Sequence, residues 1–172
     1  EEYDFDTRHI FGVVDSAGGN ILGLYCAICT NKEYARKYSF QTPQGFAPQA
    51  VALNCGAYVV DSEQLSPNEQ TLALMADYLP QKGTKEELEL LNVVSHVTED
   101  FPPVFLMTAT GDFLKEPPLL MASALTRCSV PFQYHFYGNK DNLLPHVFHC
   151  NMKSEDAKKC NDEECAFFLS FC

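Results

Sequence analysis

At 172 residues the chain has room for one domain with a real core, but not for two ordinary ones. Its 46% hydrophobic and 20% charged residues are a globular balance and exclude a disordered chain. A net charge of −11 excludes the basic patch that nucleic acid or an anionic membrane surface requires, and no apolar run is long enough for a membrane span.

The chain opens on an acidic stretch, Glu1-Glu2-Tyr3-Asp4-Phe5-Asp6, with no initiator Met and no signal-peptide pattern. His9–Val14 (HIFGVV) is a short apolar run that predicts a buried strand. Asp15–Asn20 (DSAGGN) predicts a tight turn, and Ile21–Thr30, apolar on nearly all faces, a buried helix. Residues 31–46 are polar and aromatic and end in a Pro/Gly-containing loop. Ala50–Leu53, with Cys55 and Ala57–Val60, predicts a second strand followed by loop. Residues 62–100 are rich in acids and hold two predicted helices, Ser66–Tyr78 and Thr84–Val94, whose starts carry capping signals. This stretch reads as a helical insertion over the sheet within a single domain, 1–172.

Pro103–Thr108 predicts a buried strand after a Pro-Pro break, with Thr110-Gly111-Asp112 in the loop at its C-terminal end. Glu116–Cys128 predicts a helix, and the alternating, aromatic Pro131–Tyr137 a strand. Gly138–Pro145 is loop, and a helix runs from Ser154 toward the C-terminus. Alternating strands and helices imply a parallel sheet with helices on its faces, whose chemistry sits at the C-terminal strand ends.

Eight cysteines fall mostly inside apolar runs. With a sizeable core and no export signal they read as free thiols in a reducing cytoplasm. Cys26-x-x-Cys29 lacks a matching second pair. Cys150, Cys160 and Cys165, near His146 and His149, fit no common zinc spacing. No metal and no cofactor is therefore expected.

A serine hydroxyl needs a base, an acid to orient the base, and donors for the oxyanion. Val14-Asp15-Ser16-Ala17-Gly18-Gly19 offers a serine on a sharp strand-to-helix turn, where Ala17, Gly18 and Gly19 allow close packing. The helix N-terminus favours negative charge beside Ser16. The simpler readings are Ser16 as a helix N-cap, Asp112 as the end of a Gly-Asp turn and His146 as a loop histidine. His149 rivals His146, and Asp141 rivals Asp112. His9, His96 and His135 read as structural.

Asp15-Ser16-Ala17-Gly18-Gly19-Asn20 resembles the GDSAGGN elbow of the hormone-sensitive-lipase-like esterases, a branch of the α/β-hydrolases. Pro102-Pro103, the strand that follows and Asp112-Phe113-Leu114 resemble that family's acid-bearing segment, and His146-Val147-Phe148 its H-x-F. The chain order Ser, Asp, His is that of this fold. The resemblance implies an α/β-hydrolase fold, incomplete, with about four mostly parallel strands and flanking helices and without the N-terminal strands. It implies Ser16 as nucleophile, His146 as general base and acid, Asp112 as orienting carboxylate and the Ala17 N–H as an oxyanion donor. The substrate implied is a small or medium acyl ester, with acetyl esters of sugars among the candidates. A relic or binding module, and a related serine peptidase, are the competing functions.

The chain departs from the family pattern at Val14, where the elbow's first Gly stands, and at Pro145, where a Gly usually precedes the histidine. It also carries no His-Gly-Gly run to complete the oxyanion hole. In the family the nucleophile strand is central, so one side of it is expected here to be an open edge. The chain is accordingly expected to be the C-terminal portion of an esterase, or to form a homo-oligomer that covers that edge, and to be weakly active alone.

Overall fold

The structure, a computed structural model, describes residues 6–43, 45–61 and 69–172. The acidic residues 1–5 and the expected helix start at Ser66-Pro67 lie outside the described residues.

Four strands form one sheet in the order β1-β2-β3-β4, each pair parallel: β1 Phe11–Asp15, β2 Ala50–Asn54, β3 Val104–Ala109 and β4 Phe132–Tyr137. β2 and β3 are buried at every residue, as their uninterrupted apolar runs require of strands covered on both faces. β1 and β4 lie at the edges and are partly exposed, with Val13 55% exposed.

The helices are α1 Ala17–Thr30, α2 Lys32–Ala35, α3 Glu69–Tyr78, α4 Lys85–Leu90, α5 Pro117–Arg127 and α6 Glu155–Leu169. One face of the sheet packs Val51, Leu53, Val104 and Leu106 with Cys26, Ala27, Met121 and Leu125 of α1 and α5. The other packs Ala52, Phe105 and Met107 with Cys160 and Phe167 of α6. At roughly 25 cal/mol per Å² of apolar surface, these two cores are the main stabilising term.

Two expectations are corrected. The predicted turn Asp15–Asn20 is mostly helix, since α1 begins at Ala17. Gly18 and Gly19 stay helical because the helix must pass close to its neighbours: a Cβ on Gly19 would stand 2.8 Å from the Gly56 Cα. The predicted helix Thr84–Val94 stops at Leu90. Asn92 turns its side chain to the Val60 N–H and the Asp61 carbonyl, and a separate 3-10 turn, Val93–Ser95, follows. The start of that helix is as expected, a capping box between Thr84 and Glu87. Within 31–46, Asn31 caps the short α2 by accepting from the Tyr34 N–H.

Candidate active site

Ser16 joins β1 to α1 with φ 51° and ψ −121°, a backbone conformation an L-residue adopts only under constraint. Its N–H donates to the Asn54 carbonyl at 3.0 Å, and its own carbonyl accepts from the Gly19 N–H at 3.0 Å and the Ala57 N–H at 3.3 Å. These bonds clamp the turn to the end of β2. Asn20 adds two more, from its amide to the carbonyls of Ala57 and Leu91. Val14 stands beneath the elbow, where a Cβ on Gly18 would approach its Cβ to 3.1 Å, so the β-branched residue is accommodated by glycine on the helix.

Ser16 occupies the N-cap position of α1 but makes no side-chain cap bond. Its Oγ lies 2.9 Å from His146 Nε2. His146 Nδ1 lies 2.8 Å from Asp112 Oδ1, and the Asp112 side chain is fully buried. A carboxylate only accepts, so Nδ1 carries the imidazole proton and Nε2 presents a lone pair to the serine hydroxyl. Asp112 is fixed by the Leu114 N–H, donating to Oδ1 at 2.7 Å, and faces the Thr108 hydroxyl. It therefore ends a turn and meets a histidine at once.

The Asp112 and His146 loops are stitched together. The Gly111 N–H donates to the Leu144 carbonyl at 2.9 Å, and the Thr110 Oγ1 accepts from the Leu144 N–H. Ala17 opens α1 directly after Ser16, and an N–H at that first position has no acceptor within its own helix.

Ser16, His146 and Asp112 thus come together, with Ala17 next to Ser16 in the chain, while the rivals lie apart from this hydrogen-bonded chain. Asp141 is exposed in the β4 loop, bonded to Asn139. His149 is buried beside Cys150 and Asp15, and burial lowers its pKa. His135 stacks on Phe105, and His96 stacks on Tyr34 at 3.7 Å. Two neighbours of the site were not singled out from sequence. The Phe113 ring, 77% exposed, sits 4.4 Å from the His146 ring. The Cys55 thiol contacts Asp112, and burial, reinforced by that carboxylate, holds it protonated. The D-x-L pattern marks position 113 without assigning it a role; nothing in a lone Cys55 signals a contact made by folding.

Among the described residues, two groups of metal-competent side chains each have their donor atoms within 4.8 Å of one another: Cys55, Asp112 and His146, and Asp15, His149 and Cys150. The first is the hydrogen-bonded site itself. All eight cysteines are free.

A strained serine between a parallel strand and a helix, hydrogen-bonded to a histidine that meets a buried carboxylate, is the site layout of α/β-hydrolases. A family profile described as the alpha/beta hydrolase fold matches residues 1–150, and the chain belongs to that family, in its hormone-sensitive-lipase-like branch. Esterase B from Lactobacillus rhamnosus superposes with a TM-score of 0.80 at 21% identity, covering 99% of this chain and 55% of that one. An acetyl ester-xyloside bifunctional hydrolase from Caldicellulosiruptor lactoaceticus gives 0.66 at 20%, covering 92% and 55%. The carboxylesterase Cest-2923 from Lactobacillus plantarum gives 0.65 at 20%, covering 92% and 54%. The chain spans about half the length of these proteins. No curated protein matches it. No helix among the described residues is long and apolar enough to cross a membrane.

Proposed function

We propose that the chain carries the acyl-transfer machinery of a serine carboxylic-ester hydrolase. His146 Nε2 takes the Ser16 proton as Oγ attacks the ester carbonyl, and Asp112 steadies the imidazolium that forms. The Ala17 N–H donates to the oxyanion. Collapse expels the alcohol, which receives the proton from His146, and leaves an acyl-Ser16. Water, deprotonated by His146, then releases the acid. The observation that carries this reading is the unbroken chain from the Ser16 hydroxyl through His146 to the buried Asp112.

Small or medium acyl esters, including acetyl esters of sugars, are the proposed substrates, in keeping with the names of the structural neighbours. Residues 62–100, read as an insertion in a single domain, are proposed to help shape the acyl pocket. Turnover by this chain alone is proposed to be slow, because loss of one oxyanion donor costs on the order of a hundredfold to a thousandfold. The β1 edge is proposed as the place where a further strand, from a second copy or another segment, completes the cradle.

The test is a fluorophosphonate probe with p-nitrophenyl acetate. Labelling of the wild type that is lost in Ser16→Ala supports the reading. A folded protein that takes no label is a binding module, and faster cleavage of an aminoacyl amide than of the ester makes it a peptidase.

A further inference from the structure

The fold brings together three donors far apart in sequence and outside the hydrogen-bonded chain of Ser16. Asp15 ends β1, while His149 and Cys150 lie in the 3-10 turn Phe148–Cys150, 135 residues on from Asp15 to Cys150. Cys150 Sγ stands 3.7 Å from His149 Nε2 and 3.9 Å from Asp15 Oδ2, and all three donors lie within 4.8 Å of one another. We propose that Asp15, His149 and Cys150 form a binding site for a thiophilic divalent transition-metal ion of the Zn²⁺ type, which ties the end of the nucleophile strand to the turn following His146.

Around a tetrahedral zinc, with sulfur at about 2.3 Å and nitrogen or oxygen at about 2.0 Å, donor atoms stand about 3.5 Å apart. The two spacings from Cys150 Sγ are a few tenths of an ångström wider, and the Asp15 and His149 donors lie within 4.8 Å of each other, so the three side chains close on an ion by side-chain rotation. The donor set decides the class of ion: thiolate with imidazole selects zinc-like metals, whereas magnesium and calcium want oxygen alone. Three protein donors leave a fourth position for water.

Burial and exposure are divided as a site needs. His149 is 7% exposed, so its ring is held in place, and burial favours the neutral imidazole that ligates. Asp15 and Cys150 are exposed and give the ion a path in. The turn is held from behind, where the Asn161 amide donates to the His149 carbonyl at 2.9 Å. His149 Nδ1 is buried with no hydrogen-bond partner among the described residues. That nitrogen must hold the proton when Nε2 binds metal. Affinity is then lower, by about 10- to 100-fold, than in a site whose histidine has an acceptor behind it. Binding also costs one proton: the Cys150 S–H bond breaks, an S–metal bond forms, and H⁺ leaves to solvent. Asp15 and neutral His149 release none.

The experiment needs no enzymatic activity. The metal-free 172-residue chain is titrated with Co²⁺, followed by the thiolate-to-cobalt charge-transfer band in the near ultraviolet, and then with Zn²⁺ in competition. One equivalent should produce the band, and Zn²⁺ should abolish it. Cys150→Ser should remove it, and Asp15→Asn, at an exposed position, should weaken binding at least tenfold with the fold retained by circular dichroism. Cys55→Ser should leave the band unchanged. A band that survives in Cys150→Ser, vanishes in Cys55→Ser, or never forms overturns the proposal. So does equal affinity of wild type and Asp15→Asn.

Discussion

The Ser16 hydroxyl turns away from the helix it caps and meets His146 Nε2 at 2.9 Å. A serine at an N-cap ordinarily bonds the backbone N–H groups of the first turn, a contact typically worth about 1 kcal/mol. Here that contact is given up for the histidine. Ser16→Ala should therefore cost little stability while abolishing probe labelling, and thermal melting alongside the label gel checks both. A loss of several degrees in Tm would mean that the hydroxyl is structural.

Asp112→Asn should lower kcat by about 10⁴ with the fold intact, because an amide can donate to Nδ1 and so stabilise the wrong imidazole tautomer. Steady-state kinetics on p-nitrophenyl acetate measure the drop; a fall of less than tenfold would remove Asp112 from the proposed mechanism.

Gly111→Ala should damage turnover more than stability. An added Cβ would meet the Leu144 carbonyl oxygen at 2.8 Å, a backbone atom in the loop that delivers His146. Displacing that loop by about 1 Å is enough to cost on the order of a hundredfold. Comparison of kcat with Tm separates the two effects.

Val14 and Gly18 should show coupled energetics. Gly18→Ala alone brings its Cβ to 3.1 Å from that of Val14, which offsets the roughly 1 kcal/mol gain in helix propensity. In a Val14→Gly background the obstruction is gone and the same change should stabilise. A double-mutant cycle by urea unfolding should give an interaction of at least 0.5 kcal/mol; additivity would show that the elbow tolerates both side chains independently.

Glu164 is buried against Asn54, whose amide donates to its carboxylate at 2.6 Å, while Asn54 Oδ1 has no partner among the described residues. Burial raises the Glu164 pKa. The protonated form is favoured by the fold, so its contribution is present at low pH and is lost as pH rises through the window between the ordinary glutamate value and the raised one. Glu164→Gln should flatten that decline. Its amide can serve both atoms of Asn54, for a gain on the order of 1 kcal/mol at neutral pH. Tm measured from pH 4 to 8 should show the variant's advantage growing with pH; a constant difference would exclude the linkage.

The order of strands and helices was legible because β2 and β3 are unbroken apolar runs bounded by turn residues. The serine, acid and histidine motifs were legible because DSAGGN, D-x-L and H-x-F survive around them, despite Val14 and Pro145. What sequence could not show depends on contacts between distant segments. The Asn92 side chain cuts the helix expected over Thr84–Val94 short by bonding to Val60 and Asp61, and no local propensity signals that. Cys55 beside Asp112, and Asp15 beside Cys150, are pairings made by the sheet. Spacing rules read ligands along the chain and miss a carboxylate brought in from a different strand.

The sheet is laid out in the same order as the chain, β1 to β4, and that has a consequence during synthesis. Among these four, each strand leaving the ribosome can dock on the one before it. Ser16 follows β1 directly, while His146, the base proposed to activate it, follows only after all four strands. Until then the nascent chain displays a hydroxyl with no base, so the acyl-transfer chemistry proposed here cannot begin before the last strand is in place.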